Sequence, residues 1–242
     1  MSGSTPAGSF MDWPEWHDAN PKQGFSQWLM STVADDWHAV TCHPFTDAWG
    51  QGQVPTENLR RYLVQDHRFL DRFVALLAGA VSRAPTLDDR IPGCQFLALI
   101  TGKENTYFER CFTALGVRNN QRFGTPDWDA TRGFKDLMAD ALQSASYANM
   151  IAVLAVAEGT YLGWASRVAK SVPANPPSDF WFSEWIDLHT GAYFESVVAY
   201  LNGQLDTIGP DLTDIERAAC QASFAKATKL EMDFFDTAQA GE

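Results

Sequence analysis

The stretch ANMIAVLAVAEGTYLGWA, residues 148–165, decides the fold. It is almost wholly apolar and holds one carboxylate, Glu158. Ile151, Leu154, Ala155, Leu162 and Ala165 recur at three- and four-residue steps, which is one face of an α-helix, and Glu158 falls on that face. A carboxylate in such a place is paired, protonated or functional, because burying it bare is very costly.

Two other stretches repeat the pattern. Leu59, Tyr62, Leu63, Phe69, Leu70, Phe73, Leu76 and Leu77 stripe a helix expected from Thr56, read as its N-cap, to about Arg83, where Pro85 closes it. Asp66 is the one charged member of that stripe. Near the C-terminus, Thr213 and Glu216 form a capping box that opens a helix to about Ala238. There Glu231 lies among Phe224, Thr228, Phe234, Phe235 and Ala238.

The remaining segments also read as helix. One is expected over about 25–40; Pro44, in His43-Pro44-Phe45, disfavours helix just before it, and Gly50, Gly52 and Pro55 mark a loop. A region over 87–115 is expected to break at Gly102, restart at a capping box from Thr101 to Glu104 and end at Gly116. A polar loop follows to 129, then a helix to about 143 that carries Phe134 and Leu137. The central stretch extends to about Val172, and Pro173, Pro176 and Pro177 form a stiff connector to a helix over about 179–206. Nothing alternates with a strand period. The expectation is an all-α fold, a single bundle of about seven helices over residues 24–242, preceded by a mobile arm, 1–23, that Trp13 and Trp16 pin to the body.

Composition narrows the function. The chain is 45% hydrophobic, which supports a sizeable core and excludes disorder. Eighteen basic against thirty acidic residues leave a net charge of −12, so no nucleic-acid partner is expected. No basic and apolar leader and no uncharged span suited to a bilayer is evident, so no membrane partner is expected. Cys42, Cys94, Cys111 and Cys220 are scattered without a CxxC pair, which fits small core residues in a cytoplasmic protein.

Asp66, Glu158 and Glu231 sit on the apolar stripes of three different helices, where an antiparallel bundle brings them to one pocket. Two chemistries use such a set. One is acid and base hydrolysis by carboxyls whose pKa values are pushed apart. The other is a di-metal carboxylate site, which needs Glu-x-x-His pairs. None occurs, and Asp35-x-x-His38 is the nearest spacing. His67, next to Asp66, points roughly 100° away around the helix and is expected on another face.

Those residues carry a resemblance. His43-Pro44-Phe45, the run from Tyr62 through Gln65-Asp66 to Phe69, Trp185-Ile186, and Leu230-Glu231 with Phe234-Phe235 resemble the TenA (thiaminase II) family, over roughly residues 25–240. The resemblance implies a haem-oxygenase-like fold without haem, no cofactor and no metal, and a homo-oligomer, tetramer or dimer. It implies a small-molecule pyrimidine partner and a role in thiamin salvage: hydrolysis of the amino group from 4-amino-5-aminomethyl-2-methylpyrimidine. By that likeness Asp66 binds the aminopyrimidine edge, Glu231 is the acid/base, and Phe69 and Phe134 line the ring. Two departures stand out. The larger branch keeps a nucleophilic Cys where this chain has Ala157-Glu158, so the chain looks like the branch lacking it. A Tyr expected after Trp185-Ile186 is His189. Glu158 then replaces the thiol as base on water or as nucleophile, with Tyr161 joining the aromatic wall, Trp164 either in that wall or in the core, and His189 a substrate contact. The missing thiol leaves formylaminomethyl-pyrimidine open beside the amine. Two other readings stand: a metal-dependent oxidase or oxygenase with Asp35, His38, Glu158 and His189 as ligands, and a non-catalytic pyrimidine-binding or regulatory protein.

Overall fold

Helix accounts for most of residues 11–171 and 179–241, which the computed structural model describes, and no strand occurs among them. The first helices are α1 (Trp13–Ala19), α2 (Phe25–Ser31), α3 (Ala34–Thr41) and α4 (Pro44–Gly50). The long α5 (Thr56–Arg83) follows, then α6 (Leu87–Leu99) and α7 (Asn105–Leu115), joined by a π turn over Ile100–Glu104. Next come α8 (Asn119–Gly124), α9 (Asp129–Gln143) and α10 (Tyr147–Ser171). The chain ends with α11 (Phe180–Leu188), α12 (Gly191–Ile208) and α13 (Asp214–Ala240). The Pro173, Pro176 and Pro177 connector and residues 1–10 of the expected arm lie outside the described residues.

The opening stretch is α10, and it is the axis of the fold. Residues 150–161 are buried without exception, so this helix is enclosed on all sides rather than on the single face the spacing suggested. It packs against α13, α12, α5, α4, α3 and α9. Helix α3 approaches it at Gly159 and Gly163, where a Cβ atom would stand 2.8 Å from Trp37 Cη2 and 2.7 Å from Thr41 Cγ2. Only glycine permits that crossing without displacing α3.

Among the described residues there are eleven helices of seven residues or more when α6 and α7 are taken as one, against the expected seven or so. The surplus comes from breaks with local causes. The helix expected over 25–40 is split into α2 and α3, where the Thr32 hydroxyl donates back to the Leu29 carbonyl at 2.7 Å. The helix expected over 179–206 is split at His189 and Thr190, and Gly191 follows at φ 80°. The helix break expected just before Pro44 occurs, and Pro44 then opens α4, where His43 Nδ1 accepts the Phe45 backbone N–H at 3.0 Å. Part of the polar loop is α8, and part of the arm is α1, whose Trp13 packs edge-on against Phe25 and Trp28. The expected break at Gly102 does not occur. The chain passes through it as a π turn, with the Thr101 hydroxyl bonded to the Leu97 carbonyl at 2.7 Å instead of capping a new helix. Pro55, not Thr56, is the N-cap of α5. The Thr213 capping box and the left-handed Gly116 cap form as expected. No helix among the described residues is long and apolar enough to cross a membrane.

Candidate active site

Each of four helices sends a polar residue and, one turn later, an aromatic residue to the same place. The pairs are Asp66 and Phe69 on α5, Thr131 and Phe134 on α9, Glu158 and Tyr161 on α10, and Glu231 and Phe234 on α13. Residues three apart share a helix face, so each pair enters the bundle interior side by side. Trp185 and His189, at the end of α11, add a fifth pair. Together they line a cavity with about 520 Å³ of space free of protein atoms, part of it open to solvent. Asp66, Phe69, Phe134, Glu158, Tyr161, His189 and Glu231, the site residues expected from sequence, all line it.

One lining acid was missed. Glu104 is the last residue of the π turn, and it is buried in the same cavity instead of capping a helix at the surface. Its four-residue context, Thr101 to Glu104, mimics a capping box, and nothing in it signals the π turn. Thr131 was also missed, although its spacing from Phe134 repeats that of Asp66 from Phe69.

The cavity is acidic and has no counter-ion: no Lys or Arg is among its lining residues. Asp66, Glu104, Glu158 and Glu231 are each at most 9% exposed. Burial pushes the Asp66 carboxyl up to about 7, while the Tyr62 and Tyr161 hydroxyls pull it back. Burial, with the Asp66 charge, pushes Glu104 up to about 8. Glu158 stands well above the carboxylate range because of burial and then of Glu104, Glu231 and Asp66; Glu231 does so because of burial and Asp66. Four buried carboxyls cannot all ionise beside one another. A bound cation reverses that preference.

Neutral polar groups complete the lining. Tyr62 and Tyr161 share a hydrogen bond of 2.8 Å, and Trp185 Nε1 donates to the Tyr62 hydroxyl at 3.2 Å. His189 Nδ1 lies 2.8 Å from the Trp185 carbonyl. A carbonyl only accepts, so Nδ1 carries the hydrogen and Nε2 keeps a lone pair. Burial lowers the His189 pKa to about 4, against the opposing Trp185 carbonyl, so the ring is neutral. Phe69 meets Phe134 edge-on with ring centres 5.3 Å apart. Asp66 Oδ2 and Thr131 Oγ1 are buried with no hydrogen-bond partner. Two orphaned polar atoms in a cavity wall mark where a ligand supplies what the protein does not.

Other expected residues lie elsewhere. Trp164 is core, packed edge-on behind Tyr161, and does not line the cavity. No cysteine lines it either: Cys111 and Cys220 are buried, but Cys42 is half-buried and Cys94 exposed, so the core expectation fails for those two. His67 is not a free surface group, because its Nε2 meets Asn105 Oδ1 at 3.1 Å and its ring packs between Phe108 and Phe112. Asp35 and His38 are exposed on α3, away from the cavity that holds Glu158 and His189, so the oxidase ligand set does not assemble. Among the described residues, no group of three or more His, Cys, Asp or Glu side chains is placed to hold a metal ion.

The fold and the cavity together define an all-α bundle that encloses four acids and a set of aromatic rings. Residues 31–241 match the TENA/THI-4/PQQC family profile, and the chain belongs to that family. It is 22% identical over 214 residues to the aminopyrimidine aminohydrolase of Halalkalibacterium halodurans, covering 88% of this chain and 95% of that one. It is 20% identical over 229 residues to the aminopyrimidine aminohydrolase of Bacillus subtilis, covering 90% and 91%. Among solved structures, a TenA homologue from Pyrococcus furiosus superposes with a TM-score of 0.78 at 20% identity, covering 88% of this chain and 99% of that one. The fold is the all-α, haem-oxygenase-like fold of TenA homologues.

Proposed function

We propose that the chain hydrolyses aminopyrimidines formed by thiamin degradation, with an aminomethyl or formylaminomethyl substituent, and that buried carboxyls act in place of a thiol. One observation carries this reading: an aromatic-walled cavity with four carboxyls, an orphaned Asp66 oxygen, and neither a cation nor a cysteine in its lining. The two relatives named aminopyrimidine aminohydrolase support the substrate class.

In this reading Phe69 and Phe134 flank the ring. Asp66 accepts hydrogen bonds from the ring amino group, which favours donation of ring electrons toward the methylene. Glu231, whose carboxyl burial and the Asp66 charge hold well above the usual carboxylate range, gives its proton to the leaving amine. The C–N bond breaks with its electron pair going to nitrogen, and ammonia departs. Glu158, ionised once the positive charge of the amine enters the cavity, takes a proton from water as the water oxygen bonds to the methylene carbon. One proton is given and one is taken, so aminomethylpyrimidine and water become hydroxymethylpyrimidine and ammonia. With the formamide, the same water meets the formyl carbon, and formate and the aminomethylpyrimidine are the products. Tyr161 and His189 fix the ring's other polar edge.

The test is to incubate purified protein with each compound and follow products by chromatography. Hydroxymethylpyrimidine with equimolar ammonia, or aminomethylpyrimidine with formate, is the expected result. Tight binding of both with no product would replace hydrolysis by pyrimidine sequestration.

A further inference from the structure

We propose that Glu104 is a specificity-determining residue of the cavity: it is the counter-ion for a substrate ammonium group and makes the site prefer a pyrimidine with a protonated amine over its neutral analogue. The inference rests on reading the cavity as the substrate site.

Three observations lead there. Glu104 is buried and lines the cavity, with the Asp66 charge acting on its carboxyl. It reaches that position only because a π turn carries the chain through Ile100–Glu104, and such turns concentrate at functional sites. Thr131 Oγ1, only 1% exposed and without a partner, lines the same cavity, so a ligand with polar atoms is independently called for.

The charge pattern then selects the ligand. The titratable groups facing Glu104 across the cavity are Asp66 from α5, Glu158 and Tyr161 from α10, Glu231 from α13, and His189 after α11. None of them is a cation, since His189 is neutral at physiological pH. A neutral ligand leaves the cluster to resolve its own repulsion by protonation. A ligand bearing –NH3⁺ lets at least one carboxyl ionise and turns an ordinary hydrogen bond into a charge-assisted one. Asp66, Glu158 and Glu231 already have duties at the ring, the water and the departing nitrogen; an amine that arrives as –NH3⁺ brings the proton it leaves with, so Glu231 supplies one only to an amine that binds neutral. Glu104 is the acid without a duty, and its charge is the first of the three that act on Glu158. Holding the ammonium at Glu104 leaves Glu158 free to hold water.

The experiment is calorimetric binding, which needs no turnover. The probes are 4-amino-5-aminomethyl-2-methylpyrimidine and its neutral 5-hydroxymethyl counterpart, titrated into wild type and Glu104→Gln. The expected result is a loss of affinity on the order of tenfold or more for the amine, with the hydroxymethyl compound within about threefold of wild type. Titration in two buffers of different ionisation enthalpy adds a reading on wild type alone: the amine releases protons on binding and the hydroxymethyl compound does not. Equal loss for both probes, no loss for the amine, or no difference in proton release overturns the proposal. If Glu104→Gln does not fold, Glu104→Met takes its place with the same outcomes. Binding that follows this pattern without product formation would keep the proposal and sink the hydrolase reading. Turnover with no amine preference would do the reverse.

Discussion

Replacing Glu104 with Gln makes the fold's stability less sensitive to alkali, by an amount that follows from the cavity. In the folded chain the Glu104 carboxyl is pushed up to about 8, against an ordinary value of 4.5. Below 4.5 both folded and unfolded chains hold the proton, and the group costs nothing. Between 4.5 and about 8 the unfolded chain gives up its proton while the folded chain keeps it, so stability falls as pH rises; above about 8 the loss levels off. Each pH unit in that window removes about 1.4 kcal/mol. The penalty is therefore under about 1 kcal/mol at pH 5 and about 3 kcal/mol at pH 7. The buried Gln amide has its own desolvation cost, but that cost does not change with pH, so the difference between two pH values isolates the carboxyl. Urea unfolding of wild type and Glu104→Gln at pH 5, 6, 7 and 8 should show the variant gaining about 2 to 3 kcal/mol on wild type between pH 5 and pH 7. For a chain of this size that is about 5–10 °C in Tm. A stability difference that stays flat across the series would refute the reasoning, since it would mean that Glu104 is hydrated or paired.

Three further outcomes are expected. Tyr62→Phe removes a hydroxyl that pulls Asp66 down, so the acid limb of the kcat/KM profile for the aminopyrimidine should move to higher pH; an unmoved limb would separate Asp66 from activity. Phe69→Ala removes one ring wall and should raise KM roughly threefold to tenfold with little change in kcat, read from steady-state kinetics. Gly159→Ala places a Cβ 2.8 Å from Trp37 Cη2 and should destabilise the fold by about 1 to 2 kcal/mol net of the gain in helix propensity, read from the urea midpoint.

The long helices were legible because their stripes are long. Helix α5 begins at Thr56 and ends at Arg83 as its apolar spacing indicates, and the Thr213 capping box opens α13. The same regularity made Asp66, Glu158 and Glu231 visible as acids out of place, and the bundle does bring them together. Short helices were less legible, because one or two hydrogen bonds decide them. The Thr32 hydroxyl that ends α2 and the His43 ring that caps α4 bond to backbone within three residues, and hydropathy spacing does not register such bonds. Glu104 failed for a different reason. Its local sequence fits a capping box, and the choice between a cap and a π turn depends on the packing of α6 and α7 against α5. Thr131 shares its three-residue spacing to an aromatic with Asp66, Glu158 and Glu231, but Thr46, Glu109, Thr125 and Asp179 have the same spacing and none of them lines the cavity, so spacing alone does not single Thr131 out.

The central claim is that carboxyls, not a thiol, run the hydrolysis. The most direct measurement is the steady-state release of ammonia and hydroxymethylpyrimidine from a chain with Cys42, Cys94, Cys111 and Cys220 all replaced by Ala, compared with the same chain carrying Glu158→Gln. The account predicts that the cysteine-free chain keeps its turnover and that Glu158→Gln lowers kcat on the order of a hundredfold to ten-thousandfold. Turnover lost with the cysteines, or kept in full without the Glu158 carboxylate, would contradict it.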